Sequence, residues 1–217
     1  MAISVSTGAT VAIASTYGTA VNMTAITNAN PAVATVAAGH GVVVGDFVEI
    51  TTSGWGRIAG RLFRVSVVAT NDITLEGLNT TSTTVYPASG GTGTVRRITA
   101  WTNLSQIQSI SVSGGDQQYA DITAIDDLIQ KQIPTTRAPF TVGMTAFFDP
   151  ALGWWSAVRN AQAGGVPVGI RIVLPSGNRT VCNGFWTLAE VPVIARDAPV
   201  THAIDVAFSV DATPYAT

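Results

Sequence analysis

The stretch PFTVGMTAFFDPALGWW, residues 139–155, contains the change of period on which the fold turns. Phe140, Val142, Met144, Ala146 and Phe148 alternate with Thr141, Gly143, Thr145 and Phe147, which predicts a strand with one apolar side. Asp149 and Pro150 then offer an N-cap and a first-turn proline. Ala151, Trp154, Trp155, Val158 and Ala161 follow at three- and four-residue spacing until Gly164 and Gly165, which predicts one helix. The paired tryptophans have two readings, a stacking platform for bases or sugars or an anchor that pins a lone helix to a sheet, and anchoring is the commoner use.

Outward from this helix the chain reads as strands, and the fold class is mainly β. Downstream lie PVGIRIVL, a turn at PSGN, the long run RTVCNGFWTLAEVPVIA, a turn at RDAP and THAIDVAFSV. In the last of these, His202, Ile204, Val206, Phe208 and Val210 share one face, and Thr201, Ala203, Asp205, Ala207 and Ser209 share the other. His202 therefore reads as a core-edge histidine with a satisfied hydrogen bond. Upstream, GDQQYADITAIDDLIQKQIPTTRA (residues 115–138) is polar at its ends and poorly periodic, which predicts a long loop, functional or disordered. Before it, WTNLSQIQSISVSGG (residues 101–115) sets Ile107 out of phase with Leu104, Ile110 and Val112, so a bulge or a late strand start near Ile110 is expected.

Residues 31–98 read as a unit of their own, with strands in AVATVAA, DFVEITT, RLFRVSVVA, DITLEG and GTVRRIT. Five short strands predict a small curved sheet or barrel. The expected division is one β-sandwich or barrel domain from residues 1–30 and 99–217, with 31–98 as an inserted five-stranded module. Within GHGVVVGDFVEI (residues 39–50), His40, Asp46 and Glu49 raise the question of a site. The glycine pairs there are turn chemistry, and Glu49 alternates with Val48 and Ile50 as a solvated strand residue would.

Composition narrows the function. Charged residues are 11% of the 217, hydrophobic residues 47%, and the net charge is -2, a balance unlike a disordered chain or a typical nucleic-acid binder. Lys131 is the only lysine among 11 basic residues, and a surface so poor in charge predicts extensive cover by partners. Cys182 is the sole cysteine, so neither an intrachain disulfide nor a cysteine-based zinc cluster is available. GGTG at 90–93 and SGG at 113–115 lack the lysine of a phosphate loop, and Asp126 and Asp127 beside Asp121 read as a solvated turn. No catalytic, cofactor or metal site is expected, and the chain does not read as an enzyme. MAISVSTGATVAIAS, the opening segment, has no Lys or Arg and predicts no secretory signal, and no membrane span is expected.

The order of elements resembles the tail tube (major tail) proteins of long-tailed bacteriophages, with related architecture in contractile-tail and type VI secretion tubes. The resemblance is carried by SISVSGGDQQYADITAIDDLIQKQIPT, by the strand-to-helix junction TVGMTAFFDPALGWW and by VPVIARDAPVTHAIDVAFSVD. It implies hexameric rings stacked around a channel for double-stranded DNA, with tape-measure, tail-tip and terminator proteins as partners, in the virion tail and, during assembly, the host cytoplasm. Thr201, Ala203, Asp205, Ala207 and Ser209 become lumen candidates. Asp126, Asp127, Leu128, Ile129, Lys131, Ile133 and Arg137 become ring-stacking candidates. Two rival readings stay open. One is a carbohydrate- or receptor-binding β-sandwich of a phage virion using Trp55, Trp101, Trp154 or Trp155, and the other a hydrolase built on Cys182 and His202.

Overall fold

The computed structural model describes residues 7–216, so the first six residues of the segment read for a targeting signal lie outside it. Among the described residues the chain is mainly β, with fifteen strands and one helix. In chain order the strands begin with β1 (Thr10–Tyr17), β2 (Val21–Ile26), β3 (Ala32–Val36), β4 (Phe47–Ser53), β5 (Leu62–Ala69), β6 (Asp72–Leu75) and β7 (Gly93–Leu104). They continue with β8 (Ile107–Gly114), β9 (Gln117–Asp121), β10 (Gln132–Arg137) and β11 (Phe140–Phe147). After α1 (Gly153–Gly164) come β12 (Val168–Val173), β13 (Arg179–Leu188), β14 (Thr201–Phe208) and β15 (Thr213–Tyr215).

β2 to β7 close on themselves in the order β2-β3-β6-β5-β4-β7, with β7 returning to pair with β2. All five strands expected between residues 31 and 98 are present, and a sixth, β2, comes from upstream and completes the ring. Closure leaves no strand margin unpaired, and the interior fills with Met23, Ile50, Phe63, Val65, Ile73, Leu75 and Val95. Gly93 marks the closing point, because a Cβ there would collide with the Thr52 carbonyl of the neighbouring strand.

The second half of β7 leaves the barrel and pairs with β1, and the ladder runs on through β12, β13, β14, β11 and β8. β13 is the corner: it pairs with β12 from Arg179 to Gly184 and with β14 from Gly184 to Leu188. This sheet wraps a core of Val11, Ile13, Val142, Met144, Ile170, Ile204 and Val206 that α1 closes with Trp154 and Val158. A third cluster, Ala14, Phe47, Leu62, Ile98, Val181 and Tyr215, packs the barrel against the other side of the β1-β12-β13 layer.

Three sequence expectations change, and the bulge expected near Ile110 is found. The helix starts at Gly153, capped by Leu152 without a side-chain bond, because Asp149 Oδ1 accepts the Ala151 N–H (3.1 Å) and holds a turn before the helix. Residues 115–138 are an antiparallel β9-β10 hairpin instead of a loop. The out-of-phase Ile107 is resolved by a register shift between Thr145 and Ala146, after a turn at Gln106 with φ 62°. Glu49 is 6% exposed instead of solvated: Arg96 Nε donates to its Oε2 at 2.7 Å, and the Arg96 guanidinium lies 3.9 Å from the centre of the Tyr17 ring. The reason is tertiary, since that outer face of the barrel lies against β1.

Candidate functional site

Two surfaces of the sheet are left open. The first is the outer face of β13-β14-β11-β8. The inward members of β14, His202, Ile204 and Val206, are buried, whereas Ala203, Asp205 and Ser209 are exposed and Thr201 and Ala207 half-buried. The register places Thr141 opposite Ala207, Gly143 opposite Asp205 and Thr145 opposite Ala203, with Ser113, Ser111 and Ser109 beyond them on β8. Phe185 and Thr187 of β13 complete the face. Asp205 is the one ionisable side chain among these residues. At Gly143 a Cβ would lie 3.0 Å from Ser111 Oγ and 3.2 Å from Asp205 Oδ1, so the glycine lets both polar side chains close over the backbone. The sequence alternation identified the β14 row; the serine row on β8 escaped it because the bulge after Ile107 breaks the phase.

Among the described residues β8 pairs with β11 alone, so there the face ends at a margin with no partner strand. The Phe147 N–H bonds to the Gln106 carbonyl and the Phe148 N–H to the Val200 carbonyl, so odd-numbered residues of β11 turn their polar groups towards β8. Ser109, Ser111 and Ser113 answer them, which leaves the amides of Ile110 and Val112 pointing outward.

The second open surface is the β9-β10 arm. It springs from Gly114 and Gly115 (φ 82° and 85°), where side chains would strike the Pro139 carbonyl and the Phe140 ring. Arg137 braces the base, its guanidinium donating to the Gly115 carbonyl at 3.4 Å and lying 5.5 Å from the Phe140 ring centre. The tip is ordered by its own polar groups. Asp121 Oδ1 accepts from Thr123 N–H (2.9 Å) and Oγ1–H (2.5 Å), and Oδ2 accepts from Gln130 (2.9 Å); these bonds, Thr123 first, hold its carboxyl down at about 2. Asp127, paired with Lys131 and accepting the Ala124 N–H (3.0 Å), is also held below the usual carboxylate range, chiefly by the lysine. Yet Ile125 and Leu128 are fully exposed, Ile129 is 77% exposed and Ile133 47%. Asp126 also faces solvent. Tyr119 and Ile122, which the sequence reading did not single out, extend this apolar tip.

Residues 53–217 match the phage tail tube protein (TTP) family, a span that includes the open face, its margin and the arm and covers more than half of the chain. The chain belongs to the phage tail tube protein family. No curated protein matches it. As a tail tube protein it is a structural component of the virion tail, assembling with other tail proteins into a tube.

The geometry behind the rival readings fits this assignment. In the tail tube protein Trp55 and Trp154 are buried, and Trp55 Nε1 donates to the Pro87 carbonyl at 2.9 Å. Trp101 is covered by Phe47 on one side and Arg171 on another, and Trp155 stands edge-on to His202 at 4.8 Å. Trp55 and Trp154 are thus taken up by packing and Trp101 is sandwiched between neighbours, while Trp155 is half-buried. Cys182 lies opposite Val210 and donates to its carbonyl at 3.0 Å, with burial pushing the thiol up to about 12. His202 is buried beyond the Leu188–Ile204 pair, its Nδ1–H donating to the Ala189 carbonyl at 2.8 Å while Nε2 has no partner. On β14 it sits eight residues from the Cys182 partner Val210, about 26 Å of extended chain, so the two are not a nucleophile and its base. His40, Asp46 and Glu49 likewise serve separate partners, namely the Thr70 carbonyl with the Val42 amide, the Val43 amide, and Arg96. No helix is long and apolar enough to cross a membrane among the described residues.

Proposed function

We propose that this tail tube protein closes into hexameric rings by continuing its β-sheet from copy to copy, and that the rings stack into a tube whose channel passes double-stranded DNA. The observation that supports this reading best is the open sheet face, clad mainly in serine, threonine, glycine and alanine with Phe185 and a single aspartate, beside a margin at β8 that has no partner strand among the described residues. A conduit for DNA must not hold it, and each lysine or arginine set against a phosphate would tighten binding and make it salt-dependent. Thr201, Ala203, Asp205, Ala207 and Ser209 then line the channel, joined by Ser109, Ser111, Ser113, Thr141 and Thr145. The arm makes the ring-to-ring contact through Leu128, Ile129 and Ile133, with Asp126, Asp127, Lys131 and Arg137 setting its register, since exposed charge pairs contribute little energy by themselves. The barrel is the inserted module, residues 31–98, with β2 lent by the flanking domain of residues 1–30 and 99–217. It sits on the outside of the tube, an arrangement supported by its packing on the side of the β1-β12-β13 layer that faces away from the helix-capped core. Tape-measure, tip and terminator proteins are the other partners, met in the host cytoplasm during assembly.

The test is electron microscopy of the purified protein at high concentration, where hollow filaments of uniform width are expected. Val112→Pro removes an amide that points away from β11 and so leaves the internal ladder intact. It should fold with a thermal midpoint within about 4 °C of wild type and form no rings. Val112→Pro tubes indistinguishable from wild type would refute the β8 seam, and the absence of filaments from the wild type would refute the tube itself.

A further inference from the structure

Where the barrel, the base of the arm and the end of β14 meet, a hollow of about 440 Å³ holds more positive charge than its own chain answers. Arg57 and Arg61 reach it from the turn between β4 and β5, Arg137 from the end of β10, and Asp211 is its one carboxylate; Phe208 and Val210 give it an apolar wall. Among the described residues none of the three arginines makes an ion pair. Arg61 donates to Thr213 Oγ1 at 3.2 Å, but its Nε is buried without a partner. Among the described residues the Arg137 guanidinium meets the Gly115 carbonyl and the Phe140 ring. Three cations against one anion leave the hollow positive in a chain whose formal charge is -2. A concave site with low-dielectric walls focuses such a field outward.

The arm tip has the complementary make-up. Asp121, Asp126 and Asp127 there outnumber Lys131, and Leu128 and Ile129 stand out in solvent. The tip of an arm does not line the hollow at its own root, and the five residues of β9 alone set them about 17 Å apart. We propose that the tip of one copy's arm seats in the arginine hollow of a second copy, Asp126 against Arg57 and Arg137, and Leu128 and Ile129 against Phe208 and Val210. This rests on the tube reading and names the receiving surface for its arm. Each copy carries one tip and one hollow, two different patches, so the contact is heterologous and propagates through an assembly instead of closing a pair.

Charge reversal tests it. Asp126→Arg and Arg57→Glu should each lower the sedimenting, tube-forming fraction about tenfold or more, because like charges then face each other across the contact. The double variant, Asp126→Arg with Arg57→Glu, should restore the fraction to within about threefold of wild type. Both positions are exposed, and unchanged thermal midpoints are expected to show that folding is not at issue. Single variants that assemble like wild type would overturn the pairing while leaving the tube reading intact, since tubes would still form. Defective singles that the double variant does not rescue would overturn it too. A wild type that never assembles would instead count against the tube reading, and this proposal would fall with it.

Discussion

The barrel and the open sheet draw on the same residues, valine, threonine, isoleucine and glycine, and finish in opposite conditions. In the barrel every strand from β2 to β7 has a neighbour on both margins, and Phe63, Val65, Ile73 and Leu75 lose all contact with solvent. The β13-β14-β11-β8 sheet buries one face, stops at β8 and sends out an arm whose strand residues are exposed or half-buried. The difference separates two sources of free energy. The barrel's is collected within one chain at any concentration, whereas on the proposed assembly the margin and arm would yield theirs only against other copies, and that part of the stability would depend on association.

That contrast can be broken most severely in the barrel. Phe63→Ala empties a site of no exposure and should cost about 3 to 5 kcal/mol in denaturant unfolding. A loss under about 1 kcal/mol would mean that the barrel core is not the independent source of stability described above.

The junction between the two halves should fail next, and in alkali. Burial pushes the Tyr17 and Tyr215 hydroxyls up to about 12, while Gly169 and Arg64 amides donate to them at 2.9 and 2.8 Å. An unfolded tyrosine ionises near 10, so the unfolded state binds fewer protons than the folded one between pH 10 and 12. The contribution is complete below pH 10 and is lost as pH rises towards 12, by about 2 to 3 kcal/mol for each tyrosine. Thermal midpoints that do not fall over that window would show the junction to be wetter than its packing indicates.

The smallest effect on stability should come from the open face. Asp205→Lys replaces an exposed side chain and should shift folding by less than about 0.5 kcal/mol. Tubes of this variant should nonetheless retain duplex DNA on co-sedimentation, and salt should release it. Retention equal to wild type would move Asp205 out of the channel.

How much of this was legible beforehand depends on which residues are buried. The rows Thr201 to Ser209 and Phe140 to Phe148 were readable because α1 and the core take one side of each strand, and burial of one side writes a period of two into the chain. The arm concealed its strands for the converse reason: residues 117–121 and 132–137 touch no core, so nothing selects alternation, and backbone bonds with polar caps hold the hairpin. The asparagine, glycine and aspartate turns of the barrel were clear, but the sixth strand was not, since β2 is recruited across the chain by β3 and β7. The three arginines of the hollow come from positions 57, 61 and 137, and no spacing links them.

By itself the sequence determined the mainly β character, the single helix and its glycine stop, the apolar and polar sides of the closing strands, and the poverty of charge, because each follows from local period, turn chemistry or composition. Tertiary structure alone decided the barrel's closure through β2, the burial of Glu49 with Arg96, the conversion of a polar loop into an arm, and the convergence of Arg57, Arg61 and Arg137. The physical reason is that margins, ion pairs and hollows are properties of pairs of segments distant in the chain, and neither partner carries the mark of the other until folding brings them together.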